Sequence, residues 1–254
     1  MVETEINRVE GLMARMEPRS LSAVIGQPEL VEALGELLEA SERREHPLPA
    51  ILLVGPAETG KRAISTALAM EIIDDSPESF RSIDAAGVCD PQSMREALYG
   101  LADNAVLRLI GVHRLESEAY QILARSVREF EINDDSAVSG GDVERDLELP
   151  LFSAIATSQA DLGGAGPSLE EQVARDWISL RVVPYELESL IEIAHRSADR
   201  LGLSVTEGAV QELVRRSEGL PGRLQRIIAT VVASWDEEHS ATIIDERALT
   251  QAVL

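Results

Sequence analysis

Ile51-Leu52-Leu53-Val54-Gly55-Pro56-Ala57-Glu58-Thr59-Gly60-Lys61-Arg62 decides the fold of this chain. An apolar run makes a strand, small residues make a tight turn, and Gly60-Lys61 opens a helix. The spacing from Gly55 to Gly60-Lys61 fits the phosphate-binding pattern G-x-x-x-x-G-K-[ST]. In that pattern backbone N–H groups cradle phosphates, the lysine meets the outer ones, and a final hydroxyl ligates Mg²⁺. The last position departs from it, because Arg62 stands where the hydroxyl belongs. A guanidinium can touch phosphate but has no lone pair for a metal. Glu58 places a carboxylate inside the loop, where it repels a polyphosphate.

Outward from the loop, strands and helices alternate. Pro47 and Pro49 bracket the turn into the strand, and a helix over 61–73 carries Ile64, Leu68 and Ile72 on one face. Asp74-Asp75-Ser76-Pro77 stops it. A short strand near 80–83, a helix over 92–102, a strand over 106–112 and a helix over 116–130 follow. The nearly continuous apolar run from Val106 to Val112 is the kind buried within a parallel sheet. Residues 131–149 alternate in period two around Ser139-Gly140-Gly141, which signals a hairpin, and its arms and tip are acidic. A strand over 152–157, a small-residue loop at 163–167 and a short strand near 177–183 complete this part. Before the loop, a charged helix fills residues 1–16, and Pro28 opens a second that carries Leu30, Leu34, Leu37 and Leu38. From Pro184 onward the pattern is helical. The expected organisation is α/β over 1–183, a P-loop domain with a parallel sheet flanked by helices. A small all-helical lid over 184–254 follows it.

Apolar residues make up 44% of the 254, but aromatics only 3%, so the core must be built from Leu, Ile, Val and Ala. Acidic residues number 45 against 23 basic, a net charge of −22 that repels nucleic acid at long range. The single cysteine, Cys89, excludes an intramolecular disulfide and a cysteine-based zinc cluster. His46, His113, His195 and His239 show no ligand spacing, and no metal is expected. No stretch approaches the roughly 18 apolar residues of a membrane span. The first residues lack the basic and apolar regions of a signal peptide. A cytoplasmic protein without membrane contact is expected.

Further stretches carry a resemblance. Pro18-Arg19-Ser20-Leu21-Ser22-Ala23-Val24-Ile25-Gly26-Gln27, Leu53-Val54-Gly55-Pro56, Val112-His113-Arg114-Leu115, Leu149-Pro150-Leu151-Phe152 and Arg215-Arg216-Ser217-Glu218-Gly219-Leu220-Pro221 occur in one order. Order and spacing resemble those of the RuvB-like AAA+ ATPases, the motors of Holliday-junction branch migration, from about residue 16 to residue 235. The resemblance implies the AAA+ P-loop fold with its helical lid. It also implies where each part of an ATP site should lie. The Asp-Glu pair that orients Mg²⁺ and polarises water falls on Ile110 and Gly111. The arginine given to a neighbouring subunit's site falls on Gln172, with Glu170 beside it. The lid arginine that follows Pro221 is Gly222, and Arg223 one residue on is turned by about 100° around a helix. An arginine that helps seat adenine is Glu17, and a loop glycine is Glu58.

Gly55, Pro56, Gly60 and Lys61 remain, and Tyr185 matches a family tyrosine that packs near the base. With Arg62 and Arg223 these form the candidate nucleotide-binding set, and no catalytic residue is left. The expectation is a pseudo-ATPase acting as a protein-interaction or regulatory module, with hydrolysis lost or very weak. The alternative is an ATP-binding subunit of a DNA branch-migration or repair motor, of the ATP-dependent DNA helicase class. No cofactor is expected, with ATP or ADP as the alternative, and Mg²⁺ is not expected. A protein partner, such as another AAA+ subunit, is expected. In the family the hairpin contacts RuvA through apolar residues, and Asp134, Asp135 and the Ser139-Gly140-Gly141 tip offer no comparable patch. The sequence reaches Leu254 without the family's winged-helix DNA domain, so autonomous nucleic-acid binding is not expected.

Overall fold

In the computed structural model the quoted strand is β1 (Ile51–Val54), an inner strand of a five-stranded parallel sheet. Residues 2–73, 79–87, 90–134, 145–159, 176–235 and 242–251 are described. β1 pairs with β6 (Phe152–Ser158) on one side and β7 (Ile178–Arg181) on the other. β3 (Ala105–Ile110) pairs with β6, and β2 (Phe80–Asp84) closes that edge, giving the order β2-β3-β6-β1-β7. All seven residues of β6 are buried, as expected of an inner strand covered on both faces. The register sets Val54 opposite Ser158 and Ile110 opposite Thr157, so the strands end together where the loop after β1 begins.

Side chains alternate between the faces. Leu52, Leu107, Leu109 and Ala156 meet Met94 and Leu98 of α4 (Pro91–Tyr99) and Tyr120 and Leu123 of α5 (Ser117–Glu129). Ile51, Leu53, Val106 and Ile155 meet Leu30 and Leu34 of α2 (Pro28–Arg44) and Ile64 and Leu68 of α3 (Lys61–Ile72). The run from Val106 to Val112 reads as one strand in the sequence, but β3 stops at Ile110. Gly111 takes φ +75, and Val112–Arg114 turns as a short 3-10 helix. Val112 stays buried without being in the sheet. β4 (Glu131–Asp134) and β5 (Arg145–Glu148) form the antiparallel ribbon read from the alternation. Its Ser139-Gly140-Gly141 tip lies outside the described residues, as do Cys89, the 163–167 loop, Gln172 and His239.

A third core belongs to the helices after the sheet. α6 (Leu187–Arg200), α7 (Glu207–Ser217), α8 (Pro221–Ala233) and α9 (Glu246–Gln251) bury Leu190, Leu213, Leu224, Ile228 and Leu249 together. The two-residue strands β8 (Ser204–Val205) and β9 (Ile243–Ile244) pair in parallel beside them. α1 (Val2–Met16) joins this helical core and not the sheet, through Val9, Leu12, Met13 and Met16. Arg8 donates to the Trp235 carbonyl at 3.2 Å across the same contact. Among the described residues no helix is long and apolar enough to cross a membrane.

Candidate functional site

The loop between β1 and α3 owes its path to two glycines. A Cβ on Gly55 would stand 2.3 Å from the Val182 carbonyl oxygen, and Gly60 adopts φ +85 as it opens α3. Lys61 follows with its side chain folded back under the turn and 9% of its surface exposed. Its ammonium donates to the Gly55 carbonyl at 2.7 Å and to the Pro56 carbonyl. Burial draws its pKa from the ordinary 10.5 to about 8. Arg62 points away from the loop. Its Nε donates to Glu17 Oε1 at 3.0 Å, and Thr66 Oγ1 donates to the other oxygen of that carboxylate at 3.2 Å. The two residues that depart from the resemblance at positions 17 and 62 therefore satisfy each other.

Glu58 sits in the loop with φ +61, a left-handed conformation uncommon outside glycine. Its carboxylate accepts from Arg226 Nε at 3.1 Å, and its carbonyl accepts from Gly222 N–H at 2.9 Å. A Cβ on Gly222 would lie 2.8 Å from that carbonyl oxygen, so only glycine lets α8 approach this closely. Arg223 pairs with Glu218 at 2.8 Å, away from the loop. The lid arginine that reaches the loop is Arg226, absent from the candidate set above. It lies four positions after Gly222 on the same helix face, a relation that alignment on Pro221 does not bring out.

At the end of β3 the structure places Ile110 and Gly111 beside Thr157, whose carbonyl and hydroxyl both accept from Gly111 N–H, at 3.0 and 3.1 Å. Neither residue offers a side-chain oxygen. His113 Nδ1 lies 3.2 Å from Ser158 Oγ. Burial, then the charges of Arg114 and Lys61, hold the His113 pKa below its ordinary value, which favours the neutral imidazole. Among the described residues no group of three or more His, Cys, Asp or Glu could hold a metal.

Beside Gly60 a small cavity of about 50 Å³ opens between the segment after α1, the start of α3 and the lid. Met16, Val24, Ile25, Ala63, Ile193 and Pro221 make it largely apolar. Arg200 braces one wall through the Met16 carbonyl at 2.6 Å, and Arg196 another through the Ala23 carbonyl at 2.9 Å. Tyr185 closes the slot. Its ring packs so near Gly26 that a Cβ there would lie 2.8 Å away, and burial pushes its phenol up to about 12. The slot is apolar and, at about 50 Å³, of the size of one or two waters. A phosphate-directed helix start remains at Gly60 and Lys61, but Glu58 lies across it. A Mg²⁺ ion does not fit, because Arg62, Ile110 and Gly111 supply no oxygen ligand.

Residues 16–165 match the family model described as the Holliday junction DNA helicase RuvB P-loop domain. The chain is 30% identical over 236 residues to the Holliday junction branch migration complex subunit RuvB of Rubrobacter xylanophilus, covering 92% of this chain and 63% of that protein. It is 30% identical over 248 residues to the subunit of the same name from Streptococcus equi subsp. zooepidemicus, covering 95% and 71%. The Holliday junction branch migration motor RuvB of Thermotoga maritima superposes with a TM-score of 0.70 at 20% identity, covering 94% of this chain and 72% of that one. A point mutant of that protein gives 0.73 at 21% identity. The chain thus spans 63% of the length of the first of these relatives. These matches overturn the expectation of no autonomous nucleic-acid binding, since the relatives are named for their work on Holliday junctions. The physical fault lay in averaging. A net charge of −22 describes the whole surface, whereas phosphate contact is a property of local patches.

Proposed function

The chain belongs to the RuvB P-loop family of Holliday junction DNA helicases, and from that premise we propose a subunit of a DNA branch-migration or recombination assembly that does not turn over ATP efficiently at its own site. One observation carries the second half of this reading. The three places around the loop that would supply metal and water chemistry hold Arg62, Ile110 and Gly111, and Arg62 is turned away onto Glu17. Phosphoryl transfer is catalysed by positioning and charge stabilisation, and loss of an arginine finger alone costs about 10³ to 10⁵ in rate. Gln172 replaces that finger in sequence, in addition to the missing oxygens.

What the residues do instead is structural and recognitive. Lys61 fastens the turn after β1, Tyr185 closes a small apolar slot, and Glu58 ties the lid to the loop. A second reading, an ATP-binding motor subunit, is favoured by the slot beside Gly60 and by the retained lysine.

The test uses the purified chain. ATP turnover is measured beside the Lys61→Ala variant, and binding to a labelled four-way DNA junction is measured alone and with an intact RuvB. Turnover equal in both proteins is expected, with junction association that weakens steeply as salt rises. Turnover lost on Lys61→Ala would establish the motor reading instead. Absence of the chain from every junction complex at low salt would remove the DNA assignment.

A further inference from the structure

We infer that the helical lid is locked onto the sheet and its flanking helices by two carboxylates of the chain itself, Glu58 and Glu17, so that no ligand is needed to hold it in place.

The first tie runs from the loop after β1 to the start of α8. The N-cap of that helix, Leu220, makes no side-chain cap, so the first N–H groups need acceptors from elsewhere. The Glu58 carbonyl supplies one, accepting from Gly222 N–H at 2.9 Å. About one turn on, Arg226 Nε donates to the Glu58 carboxylate at 3.1 Å. A negative charge is favourable beside the first turn of a helix. Glu58 holds this post at φ +61, which costs a residue other than glycine. A Cβ on Gly222 would lie 2.8 Å from the Glu58 carbonyl oxygen, so the contact closes only with glycine there.

The second tie begins in α1, which packs in the core of the lid helices. The Met16 carbonyl accepts from Arg200 of α6 at 2.6 Å. The next residue, Glu17, grips the other body. Its carboxylate accepts from Arg62 and Thr66 of α3 at 3.0 and 3.2 Å. One residue separates the hold on the lid from the hold on α3, which leaves little slack. Arg196 of α6 adds a contact nearby, donating to the Ala23 carbonyl at 2.9 Å.

Donors and acceptors of both ties are atoms of this chain. Positions 17, 58, 62 and 222 are also where the sequence departs from the RuvB pattern, so the lock belongs to this chain and is not implied by the relationship. The Arg226 and Glu58 side chains are 58% and 32% exposed, and such a pair alone holds little. The strength lies in the combination, because opening must break the backbone bond, the Arg226 pair and the Glu17 contacts together. Lid and sheet then offer a partner one fixed surface.

Spin labels on the full chain test the lock. Met70→Cys on α3 and Ile243→Cys in the lid, both at exposed positions, carry them in a Cys89→Ser background. Pulsed electron resonance should give one narrow distance, unchanged by ATP or ADP with or without Mg²⁺. Hydrogen exchange at the residue 222 amide reads the opening equilibrium. Glu58→Gly removes the carboxylate and suits the positive φ, and it should speed that exchange about fivefold. Adding Glu17→Ala should speed it further and bring in a second, longer distance. Gly222→Ala, whose Cβ wedges α8 off the loop, should bring in the longer distance by itself. Glu58→Gln keeps the side-chain shape and replaces Glu58→Gly if that variant melts early. A broad distance distribution in the wild type would overturn the inference. So would a distance that shifts when ATP is added, or exchange and distances in the Glu58 and Gly222 variants equal to those of the wild type. None of these readouts involves DNA or turnover, so they fail or succeed apart from the function proposed above.

Discussion

Lys61 keeps its charge in a nearly closed space, held by two carbonyl oxygens, and burial lowers its pKa from 10.5 to about 8. Between those two values the unfolded chain binds more protons than the folded one, so the stability contributed by this group rises with pH across that window. Below pH 8 the cost of the buried charge is present in full and does not vary. Urea unfolding of wild type and Lys61→Met at several pH values checks this. The stability of wild type relative to the variant should climb from pH 8 to 10.5, and a flat difference would show the ammonium to be solvated. The sequence disclosed this lysine because its spacing from Gly55 and Gly60 is a pattern in one dimension. It did not disclose Arg226, since alignment asks which residue follows Pro221, whereas the helix asks which residue returns to the same face. Arg223 fails that second question and turns to Glu218. The partner of Arg62 was equally hidden, because Glu17 lies 45 residues away.

At the scale of elements, the hydrogen bonds from Arg62 and Thr66 fasten α3 to the end of α1 through one carboxylate. Glu17 is 16% exposed and Arg62 48%, so the pair is partly screened. Glu17→Ala should cost about 1 kcal/mol. The Glu17/Arg62 double-mutant cycle should return a coupling of about 0.5 kcal/mol, measured by denaturant unfolding. A coupling of zero would reduce the contact to proximity. Helices α2 and α3 were legible from one apolar face at a fixed period, and β1 from a continuous apolar run. The end of β3 was not, because Gly111 looks like a weak strand residue until its positive φ is seen. The placement of α1 was not legible either. An amphipathic stripe of Val9, Leu12 and Met13 states that a face is buried, but not against which neighbour.

The whole molecule carries a net charge of −22, and among the described residues several arginine–carboxylate pairs lie within one helix at its surface, such as Arg196–Glu192 and Arg215–Glu212. Self-repulsion on this scale destabilises the compact state and is screened over about 10 Å at 0.1 M salt. Raising NaCl from about 10 to about 300 mM should therefore lift the melting temperature by about 3 °C. A fall would mean that the surface pairs outweigh the repulsion. The succession of strands and helices made the layered sheet readable, because parallel strands need crossovers. The same charge misled on DNA, since a sum carries no information about where its members lie. One long-range packing choice has a temporal consequence as well. The apolar stripe of α1 packs in the core of the helices near the other end of the chain, and Arg8 meets a carbonyl 227 residues later. On a ribosome adding about 5 to 20 residues per second, α1 would wait roughly 11 to 45 seconds for its partner. During that interval the apolar stripe of α1 stands without its cover.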